Sequence, residues 1–155
     1  MAQSTSKSQT ALVQNLVHLP FRKASHDETS VQLGLITLET DLTIETELRH
    51  FIGDGIGTKL GHGQKPTILH SRIACDDEVT SENLTAMGDR FAESLALFPP
   101  GYRFDVVGYG CTSASLLIGE QNVQNIVKSH IDVNHVTTPL TGVRRALRTI
   151  GARQI

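Results

Sequence analysis

The turn Tyr109-Gly110-Cys111-Thr112-Ser113-Ala114-Ser115 holds the residues best suited to chemistry. It joins a strand-like run, Phe104 to Tyr109, to a helical run beginning near Ala114, so Cys111 falls at a helix N-terminus. Unpaired N–H groups there, with their partial positive charge, favour a thiolate over a thiol and make a nucleophile or a proton-transfer group. The N–H groups and hydroxyls of Thr112 and Ser113 are placed to hold a carboxylate or an oxyanion beside the sulfur. The competing reading is a small buried thiol that merely fits a tight turn. A phosphatase loop is excluded, because Leu117 stands where Cys-x5-Arg demands the arginine.

A second candidate is Glu39-Thr40-Asp41-Leu42-Thr43, which follows the first strand-like run, Val31 to Leu38. If that strand neighbours the one ending at Tyr109, its polar side chains project beside Cys111 and Asp41 can orient a substrate. Alternatively, Asp41 or Thr43 simply caps the helix that follows. Cys75 stands next to Asp76, Asp77 and Glu78, whose charge repels a thiolate, and it reads as inert. Gly53-Asp54-Gly55-Ile56-Gly57-Thr58-Lys59 looks like a phosphate loop, but Thr58 rather than Gly precedes Lys59 and the stretch follows a helix. It reads as an αβ connection at the amino end of a sheet. The seven histidines contain no i, i+4 pair and no Cys/His zinc pattern, so no metal is expected. His70 reads as a surface or hydrogen-bonded residue near the end of a strand.

The elements that must position these groups alternate. Strand-like runs at Val31–Leu38, Pro66–Ile73, Phe104–Tyr109 and His135–Thr138 are separated by helical ones. The first helical run places Ile44, Leu48 and Phe51 or Ile52 on one face. The second, capped by Thr80 or Ser81, carries the stripe Leu84, Met87, Phe91, Leu95 and Phe98 until Pro99-Pro100 stops it. The third, Ala114 to about Lys128, turns Leu117, Ile118, Val123, Ile126 and Val127 inward, and Pro139 opens a fourth. This pattern predicts an α/β fold: a doubly wound parallel sheet, flavodoxin-like, with right-handed crossovers and helices on both faces. Residues 1–30 read as a mobile polar arm with one apolar patch, Leu12 to Phe21; residues 31–138 form the lobe; residues 139–155 form a helix and the start of another strand.

Composition narrows the function. Fourteen Lys plus Arg against sixteen Asp plus Glu, a net charge of -2, lacks the basic excess of a nucleic-acid-binding domain. The longest apolar runs fall far short of the about 20 residues a membrane-spanning helix needs. The N-terminus lacks a secretory h-region, so a soluble cytoplasmic protein is expected, with both cysteines as thiols.

Read in order, Leu33-Gly34-Leu35-Ile36, Thr40-Asp41-Leu42-Thr43-Ile44-Glu45, Val79-Thr80-Ser81-Glu82-Asn83-Leu84, Asp105 to Ser113 and Val136-Thr137-Thr138-Pro139-Leu140-Thr141 form a recognisable series. The series resembles the aspartate/glutamate racemase superfamily, nearest to the branch of maleate cis-trans isomerase, arylmalonate decarboxylase and the racemase-like proteins of ectoine utilisation. The likeness runs from about Val31 to Ile155. It implies one of two similar α/β lobes with an active site between them, no cofactor, and a small carboxylate or amino-acid-like substrate. By resemblance Cys111 is the first-lobe cysteine, which attacks the double bond in maleate isomerase and exchanges the α-proton in racemases. Thr112 and Ser113 would cradle a substrate carboxylate. The position of Asp41 is Asn in typical maleate isomerases, where it binds substrate; the charge here speaks against maleate itself and for the ectoine-utilisation type. The family's second lobe and second cysteine lie beyond the matched region, so the expectation is an amino-terminal portion of a racemase or isomerase, inactive by itself. The alternative is a small-acid-binding domain that self-associates through the face a second lobe would cover. A flavodoxin-like nucleotide-binding domain, the third reading, lacks a phosphate motif.

Overall fold

A computed structural model of the chain describes residues 30–53 and 66–152. Four parallel strands, β1 (Gln32–Leu38), β2 (Thr67–Ile73), β3 (Arg103–Tyr109) and β4 (Asp132–Thr137), form one sheet in the order β2-β1-β3-β4. Between them run α1 (Ile44–Gly53), α2 (Ser81–Ala86), a 3-10 turn (Met87–Arg90), α3 (Phe91–Ala96), α4 (Thr112–Ile118) and α5 (Glu120–His130), and α6 (Pro139–Thr149) follows β4. The fold is α/β with a parallel sheet, as the alternation predicts. The arm before residue 30, the glycine-rich stretch after Gly53 and the last three residues lie outside the described residues.

Strand order dictates how the two faces are covered. The step from β1 to β2 goes one way along the sheet, whereas β2 to β3 and β3 to β4 go the other way. Right-handed crossovers therefore send α1 to one face and α2 to α5 to the other. On the α2–α5 face lies the core: Ile36, Ile73, Phe91, Phe104, Tyr109 and Val123 are all essentially inaccessible. Phe91 meets Tyr109 edge-on at 4.7 Å between centroids, and Phe98 meets Phe104 at 4.8 Å. Removing one such ring costs about 3–5 kcal/mol, the transfer term plus the cavity left behind. Gly34 makes this packing possible, because a Cβ there would stand 2.8 Å from Val107 Cγ2 and 3.2 Å from the Phe104 ring.

The helix ends follow local chemistry. Thr80 Oγ1 accepts from the Asn83 N–H at 3.1 Å, capping α2. Thr138 and Thr141 cap α6 reciprocally, with Pro139 in its first turn. Glu120, mostly buried, accepts from the Thr141 hydroxyl at 3.0 Å and pairs with Arg144 at 3.3 Å, which ties α6 to the start of α5.

Three details depart from the sequence pattern. The single helix expected from Ala114 to Lys128 is two, because Gly119 adopts φ +89°, ψ 132° and turns the chain between α4 and α5. Leu117, expected inward, is 43% exposed, since the break changes the phase of the helical stripe. Phe51 is 59% exposed, at the end of a helix that meets the sheet through Ile44 and Leu48 instead.

Gly119→Ala should lower the unfolding free energy by about 1–3 kcal/mol, seen as a lower urea midpoint at unchanged slope, because only glycine occupies that backbone region without strain. Equilibrium denaturation followed by circular dichroism checks this.

Candidate functional site

At the carboxyl end of the sheet the strand-to-helix connections converge, and pairing decides which of them touch. Ile36 of β1 lies opposite Tyr109 of β3, and the Gly110 N–H donates to the Ile36 carbonyl at 2.8 Å, extending the ladder into the turn. The Cys111 turn therefore begins beside the β1–α1 loop that contains Asp41. Ile44 Cδ1 stands 2.7 Å from where a Gly110 Cβ would be, so a side chain there would push the Ile44 tip away from this connection.

Cys111 is buried, 7% exposed, in extended backbone at the N-cap of α4, and its side chain makes no capping hydrogen bond. Its carbonyl accepts from the Ser115 N–H at 3.1 Å and from the Ser115 hydroxyl. Ala114 and Ser115 are fully buried, whereas Thr112 and Ser113 face solvent on the first turn. The thiol thus sits at the inner margin of a turn whose outer margin carries two hydroxyls.

Tyr109 is a neighbour of Cys111 that no sequence motif marks. In a strand, residues two apart share a face, so Tyr109 and Cys111 are on one side, and that spacing was the available signal. The Tyr109 hydroxyl lies 3.8 Å from Met87 Sδ, under the Phe91 ring. Burial first, then the Cys111 thiol in side-chain contact with it, then the more distant Cys75, hold this phenol far above its ordinary range. Tyr109 is accordingly a donor, never an anion, next to the cysteine.

Asp41 closes an Asx turn: Oδ1 accepts from the N–H groups of Thr43 at 2.8 Å and Ile44 at 3.0 Å. Those two bonds hold its carboxyl below the usual aspartate value, the Ile44 bond contributing most. One Arg72 nitrogen donates to the carbonyls of Leu38, Glu39 and Asp41 at 3.1, 3.0 and 2.7 Å, which fixes the loop from β2. The capping reading of Asp41 is thus what the structure displays.

Cys75 is drawn to the same end. Its N–H donates to Glu39 Oε1 at 2.8 Å, and its sulfur lies 3.5 Å from Thr40 Oγ1. Cys75 and Thr40, with Leu38, Asn83 and Met87, line a cavity of about 260 Å³. Parallel pairing of β1 with β2, Leu38 opposite Ile73, places the two loops together. His70 is elsewhere: half-buried within β2, its Nε2 lies 2.7 Å from Glu45 Oε1 on α1. Among the described residues no group of three His, Cys, Asp or Glu is arranged to hold a metal ion, and no helix is long and apolar enough to cross a membrane.

Maleate isomerase Iso from Pseudomonas putida S16 superimposes with a TM-score of 0.62 and 22% identity, over 79% of this chain and 50% of that one. The fold resembles one half of a maleate isomerase. The C200A form of the same protein, solved with maleate, gives a TM-score of 0.58 and 21% identity over the same shares. The chain thus spans about half the length of the structures it matches, and identity at this level establishes the α/β fold alone. No family profile and no curated protein sequence matches the chain.

Asp41→Ala should destabilise the lobe by about 1 kcal/mol at neutral pH through loss of the two N–H bonds, and Asp41→Asn by less. Because the folded-state value lies below the unfolded 3.8, this stabilisation is fully present above 3.8 and is lost as pH falls through the folded value. Melts of both proteins from pH 7 to pH 2.5 should therefore converge at the acid end.

Proposed function

We propose that the chain is the thiol-bearing half of a cofactor-independent isomerase or racemase acting on a small carboxylate or amino-acid-like substrate. The observation that carries this reading is the position of Cys111, at the N-cap of a helix, at the carboxyl end of a parallel sheet, on a fold like one half of maleate isomerase. In this role the Cys111 thiolate is the reacting group. Added to a cis double bond, it leaves a single bond free to rotate, and its expulsion restores the alkene in the trans form. Used as a base, it takes the α-proton and holds it as a thiol, while a second acid on the opposite face returns a proton. The Tyr109 hydroxyl would steady the anionic sulfur, and the N–H groups and hydroxyls of Thr112 and Ser113 would take a substrate carboxylate. Asp41, already engaged by Thr43 and Ile44, would position the β1–α1 loop beside the substrate and disfavour a second anionic group there.

The acid on the opposite face must come from outside this lobe. Leu42, Val79 and Leu116, on three of the segments around the carboxyl end, are 82%, 79% and 67% exposed, which suits a surface that something closes over. The same exposure favours the second reading, a small-acid-binding domain that self-associates there without chemistry.

Alkylation separates the cases. Iodoacetamide at pH 7 should label Cys111, read by peptide mass spectrometry, and a C4 dicarboxylate or an amino dicarboxylate should slow that labelling at least fivefold. Cys75→Ser should leave the protection unchanged. A Cys111 that reacts only after denaturation, or whose rate no small acid alters, would sink both the catalytic and the binding proposals. Protection without any substrate-dependent α-proton exchange in D2O, followed by proton NMR, would leave the binding domain.

A further inference from the structure

Two side chains, Tyr109 and Met87, link the Cys111 turn to the cavity that Cys75 lines. Met87 opens the 3-10 turn between α2 and α3, is buried, and forms part of the cavity surface. Its Sδ accepts from the Tyr109 hydroxyl at 3.8 Å, and the same hydroxyl is in side-chain contact with Cys111. Phe91, edge-on to the Tyr109 ring at 4.7 Å, holds the ring in place. The phenol oxygen is thereby fixed, while its proton can rotate about the C–O bond.

That proton has two sulfurs within reach, and they differ in kind. A thioether only accepts, whereas a thiol donates when protonated and accepts strongly when ionised. While Cys111 keeps its proton, the Tyr109 O–H rests on Met87 and the phenol oxygen is left to accept from the thiol. Once Cys111 is a thiolate it is the stronger acceptor, and the O–H turns from Met87 to the anionic sulfur. Leucine fills nearly the same volume as methionine without offering an acceptor, so packing alone does not call for sulfur at this position.

We propose that Met87 is a positioning residue for Cys111: its thioether holds the Tyr109 hydroxyl proton while Cys111 is a thiol and gives it up to the thiolate. The proposal deepens the reading of Cys111 as the reacting group and rests on it. Met87 in this role sets the balance between thiol and thiolate from outside the site, through a hydroxyl that never ionises. The charged groups on the surrounding segments have other partners: Glu39 takes the Cys75 N–H, Asp41 the N–H groups of Thr43 and Ile44, Arg72 three carbonyls, and Arg90 pairs with Asp76. Cys75 is the remaining thiol on the segments around Tyr109, and Cys75→Ser removes it from the test.

The test is the rate of Cys111 labelling by iodoacetamide against pH, in the full chain carrying Cys75→Ser, with and without Met87→Leu, Tyr109→Phe and the pair. Met87→Leu withdraws an acceptor from the thiol state only, so the pH of half-maximal labelling should fall by about half a unit, equivalent to about threefold. Tyr109→Phe withdraws the donor from the thiolate and should raise that pH by about one unit or more. In the Tyr109→Phe background Met87→Leu should have no further effect, because the hydroxyl that connects them is gone. An unchanged or higher midpoint in Met87→Leu overturns the proposal, and so does a shift that persists without the hydroxyl. A faster plateau at an unchanged midpoint also overturns it, since that is what a loosened core exposing the thiol would give. Should Met87→Leu perturb the fold, Met87→Ile takes its place, with circular dichroism as the control. Dicarboxylate protection of Cys111 with no Met87 effect leaves the site and removes this role; a Met87 effect without protection by any small acid does the reverse.

Discussion

The parallel pairing of β1 with β3 is the constraint on which everything else rests. Leu33 opposes Val106 and Ile36 opposes Tyr109, so two segments some seventy residues apart in the chain lie side by side at the centre of the sheet. That contact is made close by Gly34, whose missing side chain admits Phe104 and Val107. It also places the β1–α1 loop against the Cys111 turn, where Gly110 admits Ile44. Two glycines, Gly34 within β1 and Gly110 just past β3, thus shape the core and the neighbourhood of the thiol.

Around that axis the strand order produces an asymmetric lobe. Because β1 and β3 are central and the chain visits β2 between them, four of the connecting helices, α2 to α5, and the 3-10 turn pack on one face while α1 goes to the other. The filled face carries the aromatic cluster and supplies the rigidity that holds Tyr109 and Cys111. The second face is apolar but less covered, which is a property of topology and not of composition.

The chemistry at the carboxyl end is arranged by support from below as much as by the cysteine itself. Tyr109 is held by Phe91 and Met87, Ser115 braces the Cys111 carbonyl, and Arg72 fixes three carbonyls of the β1 loop. Such bonds keep the Cys111 turn and the β1–α1 loop within a narrow range of positions.

Much of this lobe was legible in the chain itself. The strands and the helical stripe Met87, Phe91, Leu95 and Phe98 follow from periodicity, and the Cys111 turn follows from a strand running into small residues and a helix. Those are local properties, encoded within a few residues by side-chain spacing and capping chemistry. The break at Gly119 and the outward turn of Leu117 were not legible, since glycine tolerates a helix interior as well as a positive φ, and tertiary packing selects between them. The dual use of the end of β2, whose Arg72 reaches the Asp41 carbonyl and whose following loop delivers Cys75 to Thr40, was equally hidden. Such contacts depend on which strands pair, and pairing is decided by the burial of a whole sheet face rather than by any window of sequence. Sequence by itself determined the elements and the candidate thiol; only the tertiary structure decided its neighbours, because strand order, not spacing along the chain, brings distant loops together.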